Sequence, residues 1–232
     1  MKFYKNYFDK DSLHEGRVLL INKPFGWTSF DVIKKLRGIL KIRKIGHAGT
    51  LDPYATGLLI ICTGKKTKHI SQYQDLDKVY RGEILIGKTT PSYDLETNFD
   101  SENSYSHISE NDIYLSVQKF TGPIAQFPPM YSAIKVRGER LYKLARRGVE
   151  VEIPKRFVII YKFDILNINL PKINFEIRCS KGTYIRSLAS DFGKELGVGA
   201  CLSSLERTKI GDNKIKDSYT LEELSTLFSA TK

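Results

Sequence analysis

Cysteine is scarce in this sequence, with three among 232 residues, and Cys62, Cys179 and Cys201 are far apart and form no CxxC spacing. That excludes a disulfide framework, gives no support to a zinc site and fits a reducing compartment. Long apolar runs are missing too. Residues 58–62 (LLIIC) stop at five, far short of the ~20 that a membrane-spanning helix requires. The opening stretch MKFYKNYFDKDSLHEG interleaves charges with aromatics and lacks the apolar segment of a signal peptide. A cytoplasmic protein without membrane association is the expectation. There is no Walker lysine loop, no GxGxxG and no HExxH, so nucleoside triphosphate, dinucleotide and zinc-hydrolase chemistry have no support. No repeat, low-complexity tract or Gly/Ser/Pro-rich linker divides the chain, and a single domain over 1–232 follows. Acidic residues are the scarce partner in the charge balance, 26 Asp and Glu against 37 Lys and Arg, for a net charge of +11. Such an excess favours a polyanionic partner.

The excess is not spread evenly. Residues 1–70 carry +9, 71–120 carry −5, 131–156 carry +5 and 157–232 carry +2. Residues 17–22 (RVLLIN) read as a buried strand. Thr28 and Asp31 then form a capping box before Val32, Ile33, Leu36, Ile39 and Leu40 at helical spacing, which turns Lys34, Lys35, Arg37 and Lys41 towards solvent or a ligand. Residues 79–86 read as a strand, 91–109 as a long acidic excursion without apolar periodicity, and Ser109 with Asp112 as the cap of a helix carrying Ile113, Val117 and Phe120. Residues 139–147 read as a helix ending at Gly148. Ile173, Phe175, Ile177 and Cys179 alternate with polar residues, the period of a half-buried strand. Thr183 is placed to cap a helix with Ile185, Leu188, Ala189, Phe192 and Leu196 on one face. Strands joined by short helices and hairpin-like turns, without a regular strand–helix repeat, predict an α/β (α+β) fold: a mixed, largely antiparallel sheet with helices on its faces.

Residues 46–57 (GHAGTLDPYATG) concentrate the chemistry. Three glycines and a proline allow close backbone approach around one imidazole and one carboxylate. The residues fit either an Asx turn at Asp52-Pro53 with His47 as packing, or Asp52 as a nucleophile or base held ionised by a nearby cation. Arg186 falls in the first turn of a predicted helix, where a cation opposes the helix dipole, so it calls for compensation. A carboxylate such as Asp52 would supply it; a solvated arginine paired with Asp191 fits equally. Tyr184 in the same turn suits stacking on a base or filling the core. Tyr80, among Lys78, Val79 and Arg81, suits an exposed aromatic platform for a base, or an ordinary strand tyrosine. Lys135, Arg137, Arg140, Lys143, Arg146 and Arg147 surround a short helix as a solvated face or a phosphate-tracking surface. Lys23-Pro24 is a turn after a strand.

Taken in order, residues 20–24 (LINKP), 46–59 (GHAGTLDPYATGLL), 77–81 (DKVYR), 128–148 (PPMYSAIKVRGERLYKLARRG), 179–193 (CSKGTYIRSLASDFG) and 205–208 (LERT) resemble the bacterial TruB-type tRNA pseudouridine synthases. The resemblance runs from about residue 17 to 212. It implies a pseudouridine-synthase catalytic domain that isomerises uridine 55 in the T arm of tRNA, by base flipping and without cofactor or metal. On it, Asp52 matches the catalytic aspartate, attacking ribose C1′ or uracil C6, and Arg186 the arginine paired with it. Tyr80 matches the aromatic stacking on the extruded base. His47, Tyr184 and Leu205 match contacts to the flipped nucleotide, and Lys23 and Pro24 a motif supporting the catalytic loop. Ala48 stands where threonine is frequent, and Glu206 interrupts a usual basic pair. The chain stops soon after residues 220–224 (TLEEL), where many members continue into an RNA-binding PUA domain. A PUA-less enzyme is therefore expected, acting as a monomer on the T-arm stem-loop, with 131–156 as its RNA-contacting segment. Two rivals are an RNA-folding chaperone and a synthase for another RNA.

Overall fold

The structure, a computed structural model, describes residues 10–136, 138–149 and 151–229. Two compact units make up the chain, residues 1–80 with 206–232 and residues 81–205. Both crossings fall inside strands, which is why no linker composition marks them. In chain order the first unit contributes α1 (Lys10–Glu15), β1 (Val18–Lys23), α2 (Ser29–Leu40), β2 (Ile45–His47), β3 (Ala55–Thr63) and α3 (Ile70–Gln74) before β4 (Lys78–Ile86). The second holds β5 (Lys88–Thr89), β6 (Ser101–Glu102), α4 (Glu110–Lys119), β7 (Gly122–Gln126), β8 (Lys135–Val136), β9 (Glu139–Arg140), α5 (Leu141–Arg146), β10 (Arg156–Asn169), β11 (Lys172–Cys179), α6 (Ile185–Glu195) and β12 (Ala200–Ile210). β13 (Asn213–Lys214) and α7 (Leu221–Ser229) return to the first.

In the first unit the strand order is β1-β3-β12, with β2 on β3 and β13 on β12. β1 pairs antiparallel with β3, from Val18 opposite Cys62 to Lys23 opposite Gly57. Leu59 and Ile61 of β3 join Leu19 and Ile21 against Val32, Ile33, Leu36 and Leu40 of α2 and Leu221 and Leu224 of α7. Leu58, Ile60 and Cys62 enter a second cluster with Ala48 and Ile210. A strand covered on both faces has no use for polar alternation, which accounts for the unbroken LLIIC run. α2 starts with the expected reciprocal Thr28–Asp31 box, and Lys34, Lys35, Arg37 and Lys41 are exposed.

The second unit orders its strands β12-β4-β11-β10-β7. Ile173, Phe175, Ile177 and Cys179 are buried while their neighbours on β11 are not. The Phe163 ring lies 6.0 Å from Phe175 and 5.9 Å from Phe192, tying sheet to α6. The Ser109–Asp112 box opens α4 as expected.

Two expectations need correction. Residues 139–147 do not form one helix: Glu139–Arg140 pair with Lys135–Val136 in a hairpin, and the helix is confined to Leu141–Arg146. Thr183 does not cap α6, because its hydroxyl donates to the Ser180 carbonyl; Tyr184 is the N-cap and makes no side-chain cap bond. Residues 91–109 are largely irregular, as expected of an excursion, with Ser92 and Asp94 buried in it and Asp94 bridged to Leu202.

Candidate active site

In the first unit, residues 46–57 run from the end of β2 through a loop at 48–54 into the start of β3, and main-chain hydrogen bonds fix the loop at both ends. The Ala48 amide donates to the Ile60 carbonyl at 2.8 Å and the Ala55 amide to the Asp52 carbonyl at 3.1 Å. Ser29 Oγ, in the first turn of α2, accepts from the Leu51 amide at 2.9 Å and donates to the Leu51 carbonyl at 3.1 Å. Arg207, 1% exposed, donates from Nε to the Leu58 carbonyl (2.8 Å), from Nη2 to Gly49 (3.2 Å) and from Nη1 to Thr50 (3.4 Å). Gly57 is required where β3 passes this arginine. Its φ is +105°, and a Cβ would stand 2.5 Å from the Arg207 carbonyl oxygen.

Lys23 completes the frame. It is fully buried at the end of β1, and Nζ donates to the carbonyls of Trp27 (2.6 Å), Pro24 (2.9 Å) and Pro53 (3.3 Å). An ammonium has three donors and no acceptor, and three carbonyls meet them. Asp52, between Leu51 and Pro53, is therefore carried half-buried on a fixed backbone.

Burial pushes the Lys23 amine down to about 8, against the pull of Asp52, which favours its charged form. The proton is thus lost from the folded protein near pH 8 but from the unfolded chain only near 10.5, so stability rises with pH across that interval. Relative to Lys23→Met, the unfolding free energy of the unmodified protein should climb by about 1.4 kcal/mol per pH unit from pH 8 to 10 in denaturant titrations. A flat difference would mean an ordinarily hydrated amine. Burial, and then the Arg207 charge, also hold His47 below the ordinary histidine range, against a smaller opposing pull from the Gly49 backbone. His47, on β2 opposite Ile61, is accordingly neutral at pH 7.

Tyr80 is 8% exposed, which corrects the exposed platform. On β4 it shares a buried face with Lys78, whose Nζ donates to the carbonyls of Gln74 and Leu76.

In the second unit Arg186 is 3% exposed and is no solvated cation. Nη1 donates to the Ser92 carbonyl (3.0 Å), Nη2 to that of Tyr131 (2.9 Å), and Nε lies 3.6 Å from Asp94 Oδ2. Asp191, the alternative partner, pairs with Lys194 instead. The buried Gln126 side chain accepts from the Tyr184 amide (3.1 Å) and donates to the Tyr184 carbonyl (3.3 Å), fixing the residue at the start of α6. Leu205 is buried on β12.

Lys135, Arg140, Lys143, Arg146 and Arg147 are exposed; Arg137 lies outside the described residues. The surface is partly neutralised, Arg146 by Glu96 at 3.3 Å and Arg147 by Glu139 at 2.8 Å. Arg140 and Arg146 both approach the Tyr142 ring, at 5.9 and 5.7 Å from its centroid.

The predicted residues thus fall into two sets: Lys23, Pro24, His47, Asp52 and Tyr80 in the first unit, Tyr184, Arg186, Leu205 and the basic segment in the second. Sequence reasoning missed Ser29, Asp94, Gln126 and Arg207 as framework. For Arg207 a signal exists, an arginine two residues after Leu205 on the inward face of a strand. Among the described residues no cluster of His, Cys, Asp or Glu is arranged to hold a metal ion, and no helix is long and apolar enough to cross a membrane.

Comparison with known proteins identifies the family. The model of the TruB family pseudouridylate synthase N-terminal domain matches residues 37–185, and that of the tRNA pseudouridylate synthase B C-terminal domain matches 186–232. The chain is 54% identical over 214 residues to tRNA pseudouridine synthase B of Flavobacterium johnsoniae, covering 89% of this chain and 93% of that one. It is 47% identical over 208 residues to the Clostridium tetani protein of the same name, covering 90% and 72%. Among solved structures it resembles a chain of a Cbf5–Nop10–Gar1 complex (TM-score 0.73, 28% identity, 97% of this chain and 58% of that one). It also resembles a chain of an H/ACA RNP bound to a substrate RNA containing 2'-deoxyuridine (TM-score 0.69, 27% identity, 92% and 53%). It spans a little over half the length of those solved chains. By the match over most of its length and by this identity, the chain belongs to the TruB family of pseudouridylate synthases.

Proposed function

We propose that this enzyme isomerises uridine 55 in the T arm of tRNA to pseudouridine, with Asp52 as the nucleophile. The observation that carries the reading is the Asp52 carboxylate on a loop whose carbonyls and amides are held by Lys23, Ser29 and Arg207. The reaction breaks N1–C1′ and makes C5–C1′, while C5 loses a proton and N1 gains one. Atoms and electrons balance without a co-reactant, so the isomerisation requires neither cofactor nor metal. If Asp52 attacks C1′ it displaces N1, the base turns, and C5 displaces the carboxylate as the carbon–carbon bond forms; if it adds to C6, N1–C1′ breaks, the tethered base turns, C5 bonds to C1′, and the carboxylate is then eliminated from C6 with loss of the C5 proton. A stacked base has no room to turn, so the uridine is extruded first. In this reading Tyr80, His47, Tyr184 and Leu205 surround the extruded nucleotide, Pro24 follows Lys23 in the turn supporting the loop, and the 131–156 segment tracks phosphates. A monomer working in the cytoplasm suffices.

Arg186 is assigned as the cation paired with Asp52, its guanidinium aimed by Asp94, Ser92 and Tyr131. Arg186→Lys is expected to lower turnover far more than RNA affinity, because a point charge does not reproduce a planar fork held by several partners. Equal losses in both would make Arg186 a phosphate contact. The substrate is tested with a transcribed tRNA, an isolated T-arm stem-loop and a ribosomal RNA fragment, using chemical labelling that separates pseudouridine from uridine. Product in the first two supports the reading; product confined to the ribosomal fragment overturns it.

A further inference from the structure

A cavity of about 540 Å³ in the first unit is lined by Gly26, Trp27, Asp31, Lys34, Lys35 and Gly38. Residues 31, 34, 35 and 38 have the spacing of one helix face, so the cavity is an open groove along α2 bordered by Gly26 and Trp27 of the turn after β1. That turn is joined to the catalytic loop: the Gly26 amide donates to the Pro53 carbonyl at 2.9 Å, and the Phe25 ring meets Tyr54 edge-on at 5.1 Å. The groove therefore begins one residue from Asp52 in hydrogen-bonded connection, yet none of its lining side chains belongs to the machinery described above.

Gly38 is the second observation. Glycine inside a helix costs about 0.5–1 kcal/mol relative to alanine, and at Gly38 no close packing demands it, because an added Cβ would meet nothing within 4 Å. Its φ is not in the left-handed region either. Gly38 is exposed, and its missing side chain leaves that stretch of the groove open. Trp27, the single tryptophan of the chain, packs against the core cluster beneath α2 and also lines the cavity. Lys34 and Lys35 are exposed on the rim. The one carboxylate, Asp31, is engaged through Oδ2 by the Thr28 amide and hydroxyl. An aromatic wall, two ammonium groups and a cleared floor fit a base and its phosphate.

We propose that this groove binds a second, unpaired nucleotide of the RNA substrate, its base against Trp27 and its phosphate between Lys34 and Lys35. The proposal rests on the RNA-modifying reading of Asp52 and deepens it: the enzyme grips a neighbouring nucleotide through α2 while the target uridine is extruded beside the loop.

The sole tryptophan makes the groove directly observable. The full-length protein is titrated with a T-arm stem-loop RNA while Trp27 fluorescence is followed, and pseudouridine is assayed on the same RNA. Saturable quenching is expected. Gly38→Gln, which fills the floor without changing charge and replaces glycine by a better helix former, should weaken RNA binding on the order of tenfold with thermal stability maintained or raised. Lys34→Glu with Lys35→Glu should abolish the quench and raise KM while kcat at saturating RNA stays within about twofold. Three results overturn the proposal: active enzyme whose Trp27 does not respond to saturating RNA, unchanged KM and quenching in the variants, or quenching by a nucleoside monophosphate alone at the concentrations at which RNA acts. Absence of pseudouridine from the unmodified enzyme would instead overturn the reading of Asp52, so the two failures are told apart.

Discussion

Asp52→Asn is expected to abolish pseudouridine formation, by a factor on the order of 10⁴–10⁶ as for loss of an enzymic nucleophile, while RNA affinity stays within a few-fold. The substitution is nearly isosteric, and the main-chain groups of Gly49, Thr50 and Leu51 that hold the loop are met by Arg207 and Ser29 rather than by the Asp52 carboxylate. The amide lacks the charge needed to attack carbon. Single-turnover assays at saturating RNA, with binding measured in parallel, separate the two effects. An RNA-folding chaperone activity would survive the change, and persistent isomerisation would remove Asp52 from the chemistry.

The second large effect is expected at Arg207. Replacing it by methionine leaves the carbonyls of Gly49, Thr50 and Leu58 without their donors in a buried place and should cost about 3–5 kcal/mol in urea unfolding. Lysine at this position carries the charge but offers a point rather than a fork, so an intermediate loss is expected. A change in His47 accompanies either loss of charge. Arg207 is one of the two causes that hold its imidazole low, and in Arg207→Met the His47 titration followed by NMR should move up towards the ordinary value. The sign for stability is then clear. A histidine whose folded pKa is depressed opposes protonation, so stability falls as pH drops through the unfolded value near 6.5. That acid sensitivity should shrink in Arg207→Met. An unmoved His47 resonance would mean that the arginine acts through packing alone.

Much of this architecture was legible. The Thr28–Asp31 and Ser109–Asp112 boxes, the alternation of β11 and the apolar face of α6 are local patterns, and local patterns survive in one dimension. Lys23 and Arg207 show where legibility stops. Both are charged residues in buried strand positions that reach across the chain, Lys23 to a carbonyl 30 residues away and Arg207 to carbonyls 149 to 158 residues away, which no spacing rule encodes. Asp94 is harder still. It sits in a stretch without periodicity, and only its approach to Arg186 makes it meaningful. Thr183 misled because a threonine just before a helix usually caps it, whereas here a turn within 180–183 claims the hydroxyl and Gln126 satisfies Tyr184 from 58 residues away. For Tyr80 the residues leave an exposed platform and an ordinary strand tyrosine both open, since its exposure depends on what covers β4, and its burial decides for the second.

The three buried cysteines have a use that chemistry alone confers. Burial pushes the thiols of Cys62 and Cys201 up to about 11, so at neutral pH neither offers the thiolate that reacts with alkylating agents. Modification must wait until a strand swings open and water reaches the sulfur. With reagent in excess, the alkylation rate at Cys62 on β3 then reports the opening equilibrium of the first unit, and the rate at Cys201 on β12 that of the second. Each unit carries a native clock for its own breathing, readable by mass spectrometry with and without RNA.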